Sequence, residues 1–151
     1  MNVYRLCRVA FKALDGEGAC LYGGRWNSPG RSVVYTSSTL ALAAIEYLVH
    51  LDPAYLPTDL VAVTIRVADD LPRLTLHAAA LPKGWHTVTG SPECRDAGDA
   101  WLAGGKAAAL RVPAAPIPEE FNVLLDPSHP SASKWSVIAE RPFTCDPRLL
   151  G

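Results

Sequence analysis

Long hydrophobic runs, closely spaced cysteines and an excess of either charge are all missing from this 151-residue chain. Each absence excludes something. The 14 basic residues face 15 acidic ones, a formal net charge of −1, so no broad positive surface exists to grip nucleic acid. Only a local basic patch stays open. The longest uncharged run, Ser32 to Ile45, is too short and too rich in Ser and Thr to span a bilayer. The opening MNVYRLCRVAFKALDGEG has no continuous apolar core and meets Asp15 and Glu17 early, unlike a secretory signal, so a cytoplasmic setting is expected. Cys7, Cys20, Cys94 and Cys145 form no CxxC and have no close His partner. Reduced, mostly buried thiols are expected rather than disulfides.

What is present is apolar. Hydrophobic residues make up 49% and charged ones 19%, enough for a sizeable core and too little charge for a disordered chain. The length favours one domain. Val3 to Cys7, Ser32 to Thr36 and Asp59 to Val67 read as strands. SSTLALAAIEYLVHLD is the clearest helix, expected over Leu40–Leu51, capped by Ser37, Ser38 or Thr39 and stopped by Pro53. A short helix is expected from Asp96 to Leu102. Further strands are expected at Ala107 to Val112, in FNVLLDPSHP, and from Trp135 to Glu140. Strands dominate the back half, which predicts an α+β domain rather than a doubly wound sheet.

Chemistry concentrates in few places. GGRWNSPG, Gly23 to Gly30, lacks the GxxxxGK[ST] and GxGxxG patterns. Its glycines can bring backbone N–H groups to an anion, and Arg25 adds a planar fork suited to phosphate. Trp26 offers a flat apolar surface and Asn27 a directional amide. The same residues also fit a packed turn with Arg25 outside and Trp26 closing the core. Glu46 interrupts the apolar face of the helix, so it either tilts to solvent or meets a cation or a ligand. His50 follows one turn later. Tyr35 ends the strand before that helix and suits either a ligand contact or the core. Arg5 sits among apolar strand residues and points outward unless an anion balances it. Arg5 and Arg25 together would suit a pyrophosphate. The four histidines show no ligand spacing and no GxSxG elbow occurs, so neither a metal site nor a serine hydrolase is expected.

The succession of YRL (Tyr4 to Leu6), LDGEGACLYGGRWNSPGRSVVYTSSTLALAAIEYLVHL, DLVAVTIRV, LPKGW, GDAWLAGG, ALRVP and FNVLLDPSHP resembles the RES domain family. That family supplies the toxins of bacterial RES–Xre toxin–antitoxin pairs. The resemblance spans nearly the whole chain and implies a fold similar to ADP-ribosyltransferases and diphtheria-type toxins. It implies NAD+ as substrate, with no metal, and cleavage of the nicotinamide–ribose bond by hydrolysis or phosphorolysis. Protein ADP-ribosylation is an alternative. Glu46, Arg25 and Tyr35 would then be catalytic, and Arg5, Arg25, Trp26, Asn27 and Tyr35 would hold the dinucleotide. A cognate Xre-like antitoxin is implied as partner, with a homodimer inside that complex as one arrangement, and no direct nucleic-acid or membrane contact.

One departure stands out. The serine that follows Val-Pro in the family is Ala114 here, so a weak or inactive member that only binds its antitoxin or NAD+ is a further alternative. Ser128, Ser131 or Ser133 could replace that hydroxyl in space.

Overall fold

The first strand, β1 (Asn2–Arg8), pairs antiparallel with β3 (Leu60–Val67) along its whole length, from Asn2 opposite Arg66 to Arg8 opposite Leu60. On its other side it meets β2 (Val34–Ser37) at one pair only, Tyr4 opposite Ser37. The computed structural model describes all 151 residues. The remaining strands are β4 (Arg73–Thr75), β5 (Ala109–Pro113), β6 (Phe121–Leu125) and β7 (Trp135–Pro142). Together they form one mixed sheet in the order β4-β5-β6-β2-β1-β3-β7. Only β4 and β5 run parallel; every other neighbour is antiparallel.

Alternation along the strands sorts the core onto two faces. Val3 and Cys7 of β1, Val61 and Val63 of β3, and Val123 and Leu125 of β6 share one apolar cluster, which Leu71 and Trp135 help to close. The opposite face carries the helices. There α2 (Leu40–Leu48) lies on β1 and β2, burying Ala43 and Ala44 against Leu6, Leu60 and Ala62. The third helix, α3 (Pro92–Gly104), places Cys94 and Trp101 with Leu110, Val112 and Leu124. The result is an α+β architecture, as the segment order predicts.

Several boundaries differ from the sequence reading. α2 stops at Leu48, because His50 and Leu51 already bond back three residues, to Tyr47 and Leu48. Thr39 is its cap, accepting the Leu42 N–H at 3.1 Å. α3 begins earlier than expected, with Pro92 at its first position, where a missing N–H does no harm. It ends at Gly104 before Gly105 turns left-handed (φ +61°), so the alanines after it lead into β5. Two elements fall in stretches read as irregular. α1 (Glu17–Tyr22) lies within the glycine-rich connection, and the three-residue edge strand β4 is too short to leave a pattern. All four cysteines are free thiols; Cys7, Cys94 and Cys145 are buried and Cys20 half-buried.

Candidate active site

β1 and β2 part after the Tyr4–Ser37 pair, and a cleft of about 1160 Å³ opens at that split. Its walls include Arg5 and Leu6 from β1, Tyr35 and Ser37 from β2, and Glu46 and His50 from and after α2. Arg25 on the glycine loop and Arg95 on α3 line it too. The sheet register explains part of this convergence. Tyr4 faces Ser37, Ser37 faces Asn122 of β6, and Asn122 faces Val112 of β5. Residues directly opposite share a face, so Tyr4, Ser37 and Asn122 form one row beneath α2.

Glu46 descends onto that row from the inward stripe of α2, one turn after Leu42 and Ala43. Asn122 donates from Nδ2 to Glu46 Oε1 at 2.6 Å. Ser37 Oγ donates to Asn122 Oδ1 at 2.8 Å, which fixes which end of the amide faces the carboxylate. Ser37 and Asn122 are buried while Glu46 is half-buried and borders the cleft. A carboxylate held by a hydrogen bond to its charged form needs no cation to stay in place.

The arginines are braced by backbone carbonyls. Arg25 donates from Nη1 to Trp85 O at 2.7 Å and from Nη2 to Thr87 O at 3.0 Å, tying the glycine loop to the segment before α3. Arg5 belongs by alternation to the face of Val3 and Cys7, and reaches the cleft where the strands separate. It donates to Phe11 O at 3.0 Å and Ala13 O at 3.4 Å.

The glycine loop is a rigid knot. Asn27 is completely buried; its Nδ2 donates to the carbonyls of Ala19, Ser28 and Arg31, at 2.9, 3.1 and 3.1 Å. Its Oδ1 accepts the Tyr35 hydroxyl at 2.6 Å, and that hydroxyl accepts the Trp26 N–H at 3.2 Å. Burial pushes the Tyr35 phenol well above its ordinary value near 10. Asp99 of α3 holds the loop from outside, accepting the Ser28 N–H at 2.9 Å and the Ser28 hydroxyl. At Gly24 a Cβ would sit 2.6 Å from the Tyr35 oxygen, so this approach requires glycine.

Residues 2–146 match the RES domain family. The chain belongs to that family. Among similar proteins, this RES domain is 36% identical over 139 residues to the Prs ADP-ribosylating toxin of Sphingobium sp. (strain YBL2), covering 91% of this chain and 86% of that protein. It is 33% identical over 153 residues to Toxin Res of Photorhabdus laumondii, covering 99% and 97%. With Toxin Res of Pseudomonas putida it shares 36% over 144 residues, covering 93% and 95%. A crystal structure of the M. tuberculosis MbcT–MbcA toxin–antitoxin complex contains a chain of the same fold, at TM-score 0.78 and 22% identity, covering 99% of this chain and 86% of that one.

Arg5, Arg25, Tyr35 and Glu46, far apart in sequence, thus border one cleft of the RES domain. Trp26 and Asn27 are both buried. Trp26 borders the cleft but is only 2% exposed, packing in the core with Trp85, ring centroids 6.1 Å apart. Asn27 has both ends of its amide engaged, by carbonyls around the loop and by the Tyr35 hydroxyl, and does not border the cleft. Ala114 is fully buried and does not border the cleft, and none of Ser128, Ser131 and Ser133 does either. The hydroxyl beside the Glu46–Asn122 pair is that of Ser37. The sequence reading assigns neither Ser37 nor Asn122 to the site; the available signal was a serine closing β2 and the one polar residue of β6. No group of three or more His, Cys, Asp or Glu side chains is placed to hold a metal ion. No helix is long and apolar enough to cross a membrane.

Proposed function

We infer that this RES domain is the toxin of a RES–Xre-type toxin–antitoxin pair and acts on NAD+, cleaving the nicotinamide–ribose bond. The observation that carries this reading is the Glu46 carboxylate, set by Asn122 in the lining of a cleft that three arginines also border. In the reaction the bond between ribose C1′ and the nicotinamide nitrogen breaks. Its electron pair goes to the ring, which leaves uncharged and needs no acid. The cost lies in the oxocarbenium-like ribose, and a fixed carboxylate beside it lowers that cost electrostatically. An acceptor oxygen then bonds to C1′; when the acceptor is water, its proton passes to solvent.

Arg25 and Arg5 serve this site first by holding its walls, with further N–H groups left to face a phosphate. Tyr35 acts from behind the glycine loop. A cleft made by parting strands, instead of the crevice at the strand ends of a doubly wound sheet, supports the likeness to ADP-ribosyltransferase-type folds. The partner is a cognate Xre-like antitoxin. The relatives named Toxin Res and the fold shared with a chain of a toxin–antitoxin complex support that assignment.

A second reading has one specific support, the relative named as an ADP-ribosylating toxin. There the acceptor would be a protein side chain. One assay separates the two: nicotinamide release from NAD+ by the purified chain, in buffer, with added phosphate, and with cell protein. Release in buffer or phosphate alone establishes hydrolysis or phosphorolysis. Release only with cell protein, with label transferred from NAD+, favours ADP-ribosylation. No release under any condition would leave a binding protein and end the enzymatic reading.

A further inference from the structure

Three arginines border the cleft, and they are not equivalent. Arg5 and Arg25 each direct two donors at backbone carbonyls, which hold the guanidinium groups still and partly satisfy them. Arg95, in the first turn of α3, has no hydrogen-bond or ion-pair partner and is exposed. No lysine borders the cleft. We propose that Arg95 is the residue that takes the pyrophosphate of the dinucleotide, which makes it a determinant of affinity for phosphorylated over unphosphorylated ligands.

Its place in the cleft lining puts its charge within the same cavity as the Glu46 carboxylate. It borders the same cleft as Glu46 and His50, with His86, Thr89 and Ser91 also in the lining. Arg25 contributes indirectly, since its bonds to Trp85 and Thr87 fix the segment that leads into α3. Asp96 borders the cleft beside Arg95, so the wall is not uniformly positive. Its carboxylate cannot donate to a phosphate, whereas the planar fork of Arg95 can bond two phosphate oxygens together. An exposed guanidinium without a partner loses no existing contact on taking an anion.

This assignment rests on the reading of the chain as an NAD+-cleaving enzyme, and the test keeps the two apart. Binding of ADP-ribose and of adenosine is measured by calorimetry for the unchanged protein, Arg95→Gln, Arg95→Lys and Arg66→Gln. Arg66 lies outside the cleft and controls for net charge. The KM and kcat for nicotinamide release are measured alongside. Charge-assisted hydrogen bonds of this kind correspond to a roughly tenfold to hundredfold loss of affinity. Arg95→Gln is expected to weaken ADP-ribose binding by that factor and raise KM in parallel, with kcat within about threefold and adenosine binding unchanged. Arg95→Lys should recover part of the loss, and Arg66→Gln should show none. ADP-ribose affinity within twofold after Arg95→Gln, or an equal loss for adenosine, overturns the assignment and leaves the enzymatic reading intact. An unchanged protein that neither binds ADP-ribose nor releases nicotinamide overturns both.

Discussion

Asn122 and Glu46, 76 residues apart, meet at 2.6 Å, with Ser37 2.8 Å from the other end of the same amide. The order matters: a hydroxyl on Oδ1 leaves the amide donor no choice but the carboxylate. Asn122→Asp replaces that donor with a second carboxyl group. Two ionised carboxyls at this distance repel, which raises the pair's affinity for one shared proton that is taken up as pH falls. NAD+ turnover is expected to fall on the order of a hundredfold at pH 8 and to recover partly as pH drops below about 6, where the shared proton restores the bond. A pH–rate profile compared with that of the unchanged protein checks this, and parallel profiles would remove Asn122 from the mechanism.

Glu46→Gln keeps the volume and an acceptor for the Asn122 amide, so the fold should survive. The variant lacks the negative charge facing the developing ribose cation. Loss of one preorganised contact of this type costs about 3 kcal/mol in the transition state, roughly a hundredfold in rate. ADP-ribose affinity should change little, because the carboxylate serves the reacting sugar and not the phosphates. Nicotinamide release by chromatography, paired with calorimetry, separates the two effects. Equal release from both proteins would exclude Glu46.

Tyr35→Phe tests whether the tyrosine works through the loop. It strands Asn27 Oδ1 and the Trp26 N–H, each worth about 1–3 kcal/mol when buried without a partner. Thermal stability should fall noticeably. The alkaline limb carries a second signature. Because the folded state raises the phenol's proton affinity, Tyr35 stabilises the fold fully below about pH 10, and that contribution fades as pH rises further. The unchanged protein should therefore lose stability steeply above about pH 10, and Tyr35→Phe less steeply. Denaturant midpoints at pH 8 and pH 11 measure the difference; identical slopes would contradict it.

How much of this was legible follows from the kind of signal each residue leaves. Strands and the α2 helix announced themselves because their apolar residues repeat at fixed spacing over several turns or pleats. Glu46 stood out as a carboxylate in an apolar stripe. Asn122 and Ser37 did not, since their meaning depends on which strands become neighbours, and β2 and β6 are distant in sequence. Trp26 and Asn27 lie deeper than their loop suggests, for a related reason. A glycine-rich loop reads as open, yet this one is closed from behind by Tyr35 and Asp99, which lie on other elements. Arg95 carried no pattern at all; it borders the cleft from α3, which packs on the glycine loop through Gly98 and Asp99.

Gly98 tests that closure directly, because α3 approaches the loop through it. A Cβ built there would lie 1.6 Å from the Trp26 carbonyl oxygen and 2.6 Å from its carbon. Both are backbone atoms, so no rotamer change relieves the overlap; either α3 or the loop must move. The neighbouring Asp99–Ser28 clamp, Trp26 in the core and Arg25 on the Trp85 and Thr87 carbonyls would all be disturbed together. Overpacking of this severity is expected to exceed the usual range of about 1–3 kcal/mol, lowering Tm by roughly 10 °C or more. Gly104, in the last turn of the same helix, supplies the control. Nothing lies within 4 Å of a Cβ there, and its φ is not positive. Gly104→Ala should leave Tm unchanged or raise it by a few degrees, because it narrows the unfolded ensemble by about 0.4–1 kcal/mol. Thermal denaturation of the two variants beside the unchanged protein decides the matter. A Gly98→Ala protein melting within about 2 °C of the unchanged one would mean that α3 and the loop are less tightly joined than the structure places them.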